Sequence, residues 1–235
     1  MKYMMVNSYD GSKFSGFQRQ KKVRNVQGYI EDELSNILKE TIEVKGAGRT
    51  DAGVHAYYQV VHFETNKHIY NLKSRLNNVL KDVKVKKIKR VSDDFHARYN
   101  VKSKIYLYKI DLSNKKDSNY YLNIKYKLDI KKMKDASKIF IGTHYFENFV
   151  AGFRDDYTST IIYIKIYKFN KILYLKFKGY GFYRYMVRNL VGALLEIGKG
   201  KLTKEELKDI LDNPNNKRRL PTSSPNGLYL YKIKY

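Results

Sequence analysis

Asp51 lies in the run Gly46-Ala47-Gly48-Arg49-Thr50-Asp51-Ala52-Gly53-Val54-His55-Ala56, a single carboxylate among three glycines and two residues from an arginine. Glycine lets a backbone take positive φ and come close to a ligand, and a nearby guanidinium favours the ionised carboxylate. An acid so placed in a very basic chain is a candidate nucleophile. On residue type alone an Asp before Ala-Gly is most often an Asx-turn residue, so both readings stand at this point.

Other chemistries fit the residues less well. The glycine run puts Asp51 where a dinucleotide fingerprint needs its third glycine, and it lacks the Gly-Lys-Ser/Thr of a phosphate-binding P-loop. His55, His62, His96 and His144 match no zinc spacing and have no cysteine to join them, so they read as structural histidines. No serine sits in a Gly-x-Ser-x-Gly elbow. The motifs therefore imply neither a metal nor a cofactor.

The chain of 235 residues is 43% hydrophobic, enough to bury a substantial core. Its formal net charge of +24 points to a polyanionic partner, nucleic acid first. Lysine supplies most of the positive charge and arginine the minority, which suits a diffuse field with a few planar forks for phosphate. The absence of cysteine excludes disulfides and thiolate chemistry. The start, Met1 to Val6, turns polar too soon for a signal peptide, and no segment approaches the ~20 apolar residues of a membrane span. The expectation is a cytoplasmic protein.

Elements must position the loop. Tyr3 to Ser8 reads as a strand, ended by the turn at Asp10-Gly11-Ser12. Asn25 can cap a helix whose apolar face is Val26, Tyr29, Ile30, Leu34, Ile37 and Leu38, and Ile42 to Val44 reads as the short strand entering the glycine loop. Beyond the loop come strands at Gln59 to Glu64, Val83 to Val91 and Lys104 to Leu112, with a short helix at Asn71 to Leu80. The polar stretch from Ser113 to Asn119 is the candidate linker. Ile130, Met133, Ser137 and Phe140 then mark a helix face stopping near Gly142, and Thr160 to Lys168 with Ile172 to Lys178 reads as a hairpin, apolar on one face and cationic on the other. A long helix follows from about Tyr185 to Ile197, a second opens at the Thr203/Glu206 capping box, and Leu228 to Ile233 is the last strand. The order predicts a mixed α/β fold of two halves, 1–112 and 124–235, joined by 113–123.

Gly48-Arg49-Thr50-Asp51-Ala52-Gly53-Val54-His55-Ala56 resembles the signature loop of the TruA-type tRNA pseudouridine synthases. Further segments match in the family's order: Tyr9-Asp10-Gly11-Ser12 with Gly16-Phe17-Gln18-Arg19-Gln20, Val60-Val61-His62-Phe63, Phe95-His96-Ala97-Arg98 with Tyr106-Leu107-Tyr108, the run Phe182 to Gly192, and Gly227-Leu228-Tyr229-Leu230. Two departures stand out. Phe17 replaces the family's usual Trp, and Asp155 to Thr160 occupies a stretch that usually carries an arginine, which bears on target choice.

The resemblance implies the pseudouridine synthase fold, two similar α/β halves with mainly antiparallel sheets joined around a central basic cleft. It implies isomerisation of uridine to pseudouridine in the anticodon stem-loop of tRNA, at positions 38, 39 and 40, by a homodimer. Asp51 would be the nucleophile, oriented by Arg49, with Tyr106 packed against the target base and Leu228 as the apolar wall. Arg188 would pair with Asp51 or with phosphate, and Arg19 and Arg98 would contact RNA. Lys13, Lys21, Lys22, Arg24, Lys217, Arg218 and Arg219 add phosphate contacts that position RNA without reading sequence. The competing readings are the same chemistry on another RNA, such as ribosomal RNA, and a noncatalytic RNA-binding module on the same scaffold.

Overall fold

The computed structural model describes residues 1–113, 118–216 and 218–235, and the chain forms two compact units, 1–102 with 229–235 and 103–228. Part of the candidate linker, 114–117, lies outside the described residues. The units meet in sequence between Lys102 and Ser103 rather than at 113–123, and the last strand returns to the first unit. That return depends on long-range pairing, which local composition does not register.

In the first unit, β1 (Lys2–Tyr9) is followed by α1 (Val26–Leu38), the two-residue β2 (Lys45–Gly46), β3 (His55–Glu64), α2 (Leu72–Val79) and β4 (Val83–Arg90). β10 (Leu228–Lys234) completes it, all but Leu228 belonging to this unit. The strands run in the order β4, β1, β3, β10, with β1 antiparallel to both β4 and β3 and β10 parallel to β3. Asn25 caps α1 by accepting the Gly28 N–H at 2.8 Å, as its residue type favours. Val26, Ile30 and Leu34 are completely buried. The helix ends at Lys39 with φ of 58°, a left-handed stop. Ile42 to Val44, expected as a strand, is irregular, and pairing begins only at Lys45 opposite His62. Val44 instead donates its N–H to buried Glu31 at 3.0 Å, so a side chain takes the bond a ladder would have supplied.

The second unit is built from β5 (Ser103–Asp111), β6 (Leu122–Asn123), α3 (Ile130–Ala136), β7 (Gly142–Tyr145), β8 (Thr158–Phe169), β9 (Ile172–Gly179), α4 (Met186–Gly198) and α5 (Lys204–Asp212). Its main strands run β5, β9, β8, β7, each antiparallel to its neighbour. The expected hairpin is present, with Phe169 opposite Ile172 and Asn170 at φ of 52° in the turn, the left-handed backbone that tight hairpin turns demand. Leu173, Leu175 and Phe177 are fully buried while Tyr174, Lys176 and Lys178 alternate with them on the other face, as the period of two requires. The Thr203/Glu206 capping box is formed, and the long apolar stripe of α4 is buried. The helix expected to run toward Gly142 stops at Ala136 and tightens into a 3-10 turn over Ser137–Phe140. The short strands β6 and β7 went unseen in the sequence, since segments of so few residues show too few alternations to read.

One titratable group in the first unit makes stability pH-dependent. His62 on β3 is buried and accepts the Ala97 N–H on Nδ1 at 3.1 Å. Burial lowers its pKa to about 4, with His96, Lys2 and Lys45 adding repulsion. The unfolded chain therefore binds this proton more readily than the native one, so stability is full above the ordinary histidine range and declines as pH falls from about 6.5 toward about 4. Urea unfolding midpoints should fall between pH 7 and pH 5, and His62→Asn should start lower at pH 7 and show a shallower slope.

Candidate active site

The loop carrying Asp51 is held from beneath by residues 9–18. Phe17 donates its N–H to the Thr50 carbonyl at 3.0 Å, and Gly53 donates to the Phe14 carbonyl at 3.4 Å. From the other side, Ala47 donates to the Val60 carbonyl at 2.8 Å and the Gln59 side-chain amide to the Gly48 carbonyl at 2.7 Å. The Tyr9 hydroxyl lies 2.8 Å from the Thr50 hydroxyl, both residues being buried. Burial pushes the Tyr9 phenol up to about 12, so it stays protonated throughout the physiological range.

Two glycines make this close packing possible. A side chain on Gly11 would put its Cβ 2.1 Å from the Val54 carbonyl oxygen. Gly16 has φ of +98° and lies against the Thr50 carbonyl, where a Cβ would come within 3.0 Å. These contacts are between main chains, which cannot yield as a flexible side chain would. Asp51 then opens a turn closed by the Val54 N–H on the Asp51 carbonyl at 3.1 Å, with Gly53 at φ of 79°, the hydrogen bond of a four-residue turn. Asp51 itself is half-buried and Arg49 is exposed.

His55, directly after the loop, is 2% exposed and accepts the Gly11 N–H on Nδ1 at 3.1 Å. Its ring stacks on Tyr229 at 4.6 Å, and Tyr229 stacks on Tyr57 at 4.7 Å. His96 likewise accepts main-chain N–H groups, from Arg98 and Tyr99. His55 and His96 thus work as acceptors that pin loops, whereas His144 donates from Nε2 to the Ile141 carbonyl at 3.0 Å. Tyr57 and Gln59 lie outside the motifs singled out in the sequence, and Tyr9, His55 and Tyr229 lie inside them but carry no assigned role there. Their role appears only once β1, β3 and β10 are paired.

The remaining candidates divide between the units. In the second, Tyr106 on β5 is 8% exposed and meets the Phe182 ring edge-on at 5.2 Å. Leu228 is 4% exposed, immediately after the 3-10 turn Pro225–Gly227. Arg188 on α4 donates from Nε to the Ser223 carbonyl at 2.7 Å, and its guanidinium lies 4.7 Å from the Tyr185 ring. In the first unit, Arg98 is exposed over the Tyr99 ring. Arg19, in the segment before α1, is engaged by that helix, at 2.9 Å from both Glu31 and Asp32. Arg24 pairs with Asp82 and Arg218 with Glu206, each at 2.7 Å. Lys13, Lys21, Lys22 and Arg219 are exposed, and Lys217 lies outside the described residues. Among the described residues no three His, Asp or Glu side chains gather as a metal site. None of the described helices is long and apolar enough to cross a membrane.

The close approach at Gly11 has a measurable cost. Gly11→Ala should lower unfolding stability by about 1–3 kcal/mol through overpacking. Gly181→Ala, where a Cβ meets nothing within 4 Å, should change it little in the same urea titration.

Comparison with known proteins agrees with this geometry. The family model described as tRNA pseudouridine synthase matches residues 5–100 and 136–235. A tRNA pseudouridine synthase A from Pseudothermotoga lettingae is 37% identical, covering 100% of this chain and 99% of its own. One from Streptococcus pyogenes is 40% identical, covering 100% and 99%. A chain of the solved "Structure of H/ACA RNP bound to a substrate RNA containing 2'-deoxyuridine" aligns with a TM-score of 0.40 at 13% identity, over 80% of this chain and 45% of that one, too remote to carry any inference. With matches that span both compact units and include the whole Asp51 loop, the chain belongs to the tRNA pseudouridine synthase family.

Proposed function

We propose that this protein isomerises uridine to pseudouridine in the anticodon stem-loop of tRNA, at the three positions its family resemblance implies, with Asp51 as nucleophile. The observation that carries the reading is the loop itself. Residues 9–18 and 59–60 fix its main chain, and Asp51 stands at its turn, half-buried beside exposed Arg49. A loop that served binding alone would have little use for a carboxylate facing a polyanion.

The reaction breaks the bond from C1′ to N1, turns the uracil and rejoins it through C5; the C5 proton leaves and N1 gains one, so the product is an isomer. Asp51 attacks the sugar or the base, and the bond it forms is broken again as the new glycosidic bond closes. Arg49 orients the carboxylate, Tyr106 holds the base, Leu228 supplies the apolar wall and Arg188 pairs with the carboxylate or with phosphate. A uridine in a stem must be extruded at a cost of a few kcal/mol. Exposed cations such as Lys13, Lys21, Lys22, Arg98 and Arg219 offset that cost through phosphate contacts. The chemistry needs neither metal nor cofactor. We further propose a homodimer acting in the cytoplasm.

A second reading changes the target and keeps the chemistry. It is favoured by the segment Asp155 to Thr160, where the arginine usual in the family is missing and Ser159 is buried with its hydroxyl on the Gly181 carbonyl at 2.9 Å. Pseudouridine mapping in RNA from cells with and without the protein distinguishes tRNA from ribosomal RNA.

Asp51→Asn should abolish turnover while leaving tRNA affinity within a few-fold, measured by tritium release from C5-labelled uridine and by filter binding. Retained turnover would refute the assignment. Affinity of the wild-type protein for tRNA should fall steeply between 50 and 200 mM salt, by about tenfold or more, as counterions are released. A flat salt response would rule out a phosphate-dominated interface.

A further inference from the structure

A cleft of about 540 Å³ opens in the first unit between β4, β1, β3, β10 and the segment following β4. Lys87, Lys89 and Arg90 line it from β4, and Tyr58, Phe95 and Tyr235 supply aromatic surface. No carboxylate side chain is among its lining residues. The loop 46–54 contributes nothing to it, so it is separate from the candidate active site.

The aromatic side is organised in advance. The Tyr235 hydroxyl donates to the Ala97 carbonyl at 2.6 Å, and its ring lies 5.2 Å from Phe95. Burial, with the neighbouring Tyr58 hydroxyl adding to it, raises the Tyr235 phenol well above the usual tyrosine range, so the hydroxyl remains a donor. The cationic side is organised by a β-bulge. Pairing with β1 slips between Val6 opposite Lys87 and Asn7 opposite Val85, which takes Lys86 out of register. Lys86 turns instead to the Tyr57 carbonyl at 2.6 Å, and Lys87 and Lys89 fall on one face opposite Val6 and Met4.

Lysines on an edge strand also guard against edge-to-edge aggregation, and β4 ends the order of this sheet. That role accounts for charge along the edge. It does not account for three cations converging with fixed aromatic rings on one concave site. Cations beside partly exposed aromatic rings are what an unstacked nucleotide requires, its phosphates met by the cations and its base by the rings.

We propose that this cleft binds a single-stranded segment of RNA, an unstacked base against Tyr58 and Tyr235 and flanking phosphates on Lys87, Lys89 and Arg90. The inference rests on the tRNA-modifying reading above and adds a contact outside the Asp51 loop. It supplies affinity for the substrate and leaves the chemical step alone.

The test compares the wild type, a Lys87→Ala/Lys89→Ala/Arg90→Ala variant, Tyr58→Leu and Tyr58→Phe, each checked for an unchanged thermal midpoint. Fluorescence anisotropy is read with a tRNA transcript, a 12-nucleotide oligouridylate and an RNA duplex of equal length. The triple variant should raise Kd for tRNA about tenfold or more and reduce the slope of log K against log salt by about 2. Tyr58→Leu should weaken oligouridylate binding by about tenfold, and Tyr58→Phe should restore it, because stacking needs the ring alone. The wild type should prefer the oligouridylate to the duplex, and kcat at saturating tRNA should be the same in all four proteins. An unchanged Kd and salt slope in the triple variant, equal losses in Tyr58→Leu and Tyr58→Phe, equal affinity for duplex and single strand, or a lowered kcat would each overturn the proposal. Failure of the enzymatic reading shows up separately, as wild-type protein that leaves tRNA uridines unchanged while these binding comparisons can still be made.

Discussion

Main-chain contact between residues 9–18 and the Asp51 loop is the constraint on which the first unit's site depends. Gly11 lets β1's exit reach the Val54 carbonyl, and Gly16 lets the following segment turn under Thr50. The Phe17 to Thr50 hydrogen bond, the Tyr9 to Thr50 hydroxyl pair and the Gln59 to Gly48 bond then fix the loop on both sides. Buried polar groups satisfied in this way are costly to disturb, because each broken bond leaves a desolvated partner. A short glycine-rich loop thereby becomes a fixed mount for one carboxylate, the preorganisation that the proposed role of Asp51 requires.

Three histidines serve the same end. His55, His62 and His96 each accept a main-chain N–H, and His55 is also clamped between the Gly11 segment and the Tyr229 ring. Burial and nearby lysines keep the His62 proton off until well below neutral pH, so this group acts as an acceptor across the physiological range. These three histidines fasten main chain, in keeping with the structural reading their spacing gave in the sequence.

Charge is handled by division of labour. Several arginines are held by carboxylates or rings: Arg19 by Glu31 and Asp32, Arg24 by Asp82 and the faces of Phe14 and Tyr29, and Arg218 by Glu206. The exposed pairs among these, Arg19 with Asp32 and Arg218 with Glu206, add little to stability, so their effect is chiefly to orient the forks. Exposed lysines of β4 and of the loop after β1 carry much of the long-range field that would draw in a polyanion. In the second unit, Tyr185 holds a left-handed φ of 62° at the start of α4, with Arg184 and Arg188 both against its ring. A non-glycine residue in that conformation stores strain, which the packed helix behind it sustains.

Much of this was legible in the chain itself. The period of α1 and α4, the Asn25 cap, the Thr203/Glu206 box and the alternation of β9 are local patterns, and local patterns survive into the fold because each is set by neighbours within about one turn or one pleat. The nine residues around Asp51, with the further motifs in the same order, carried the family resemblance that implied the chemistry. Tertiary structure decided what no window of sequence contains: that Val44 bonds to Glu31 in place of a strand partner, that β10 crosses back to lie beside β3, and that Tyr9, Gln59 and His55 brace the loop. It also decided that Arg19 faces two carboxylates and that β4 and the chain's last tyrosine share a cleft. Each of these joins residues far apart along the chain. Composition and spacing say which groups are available, but only the paired strands determine which groups meet.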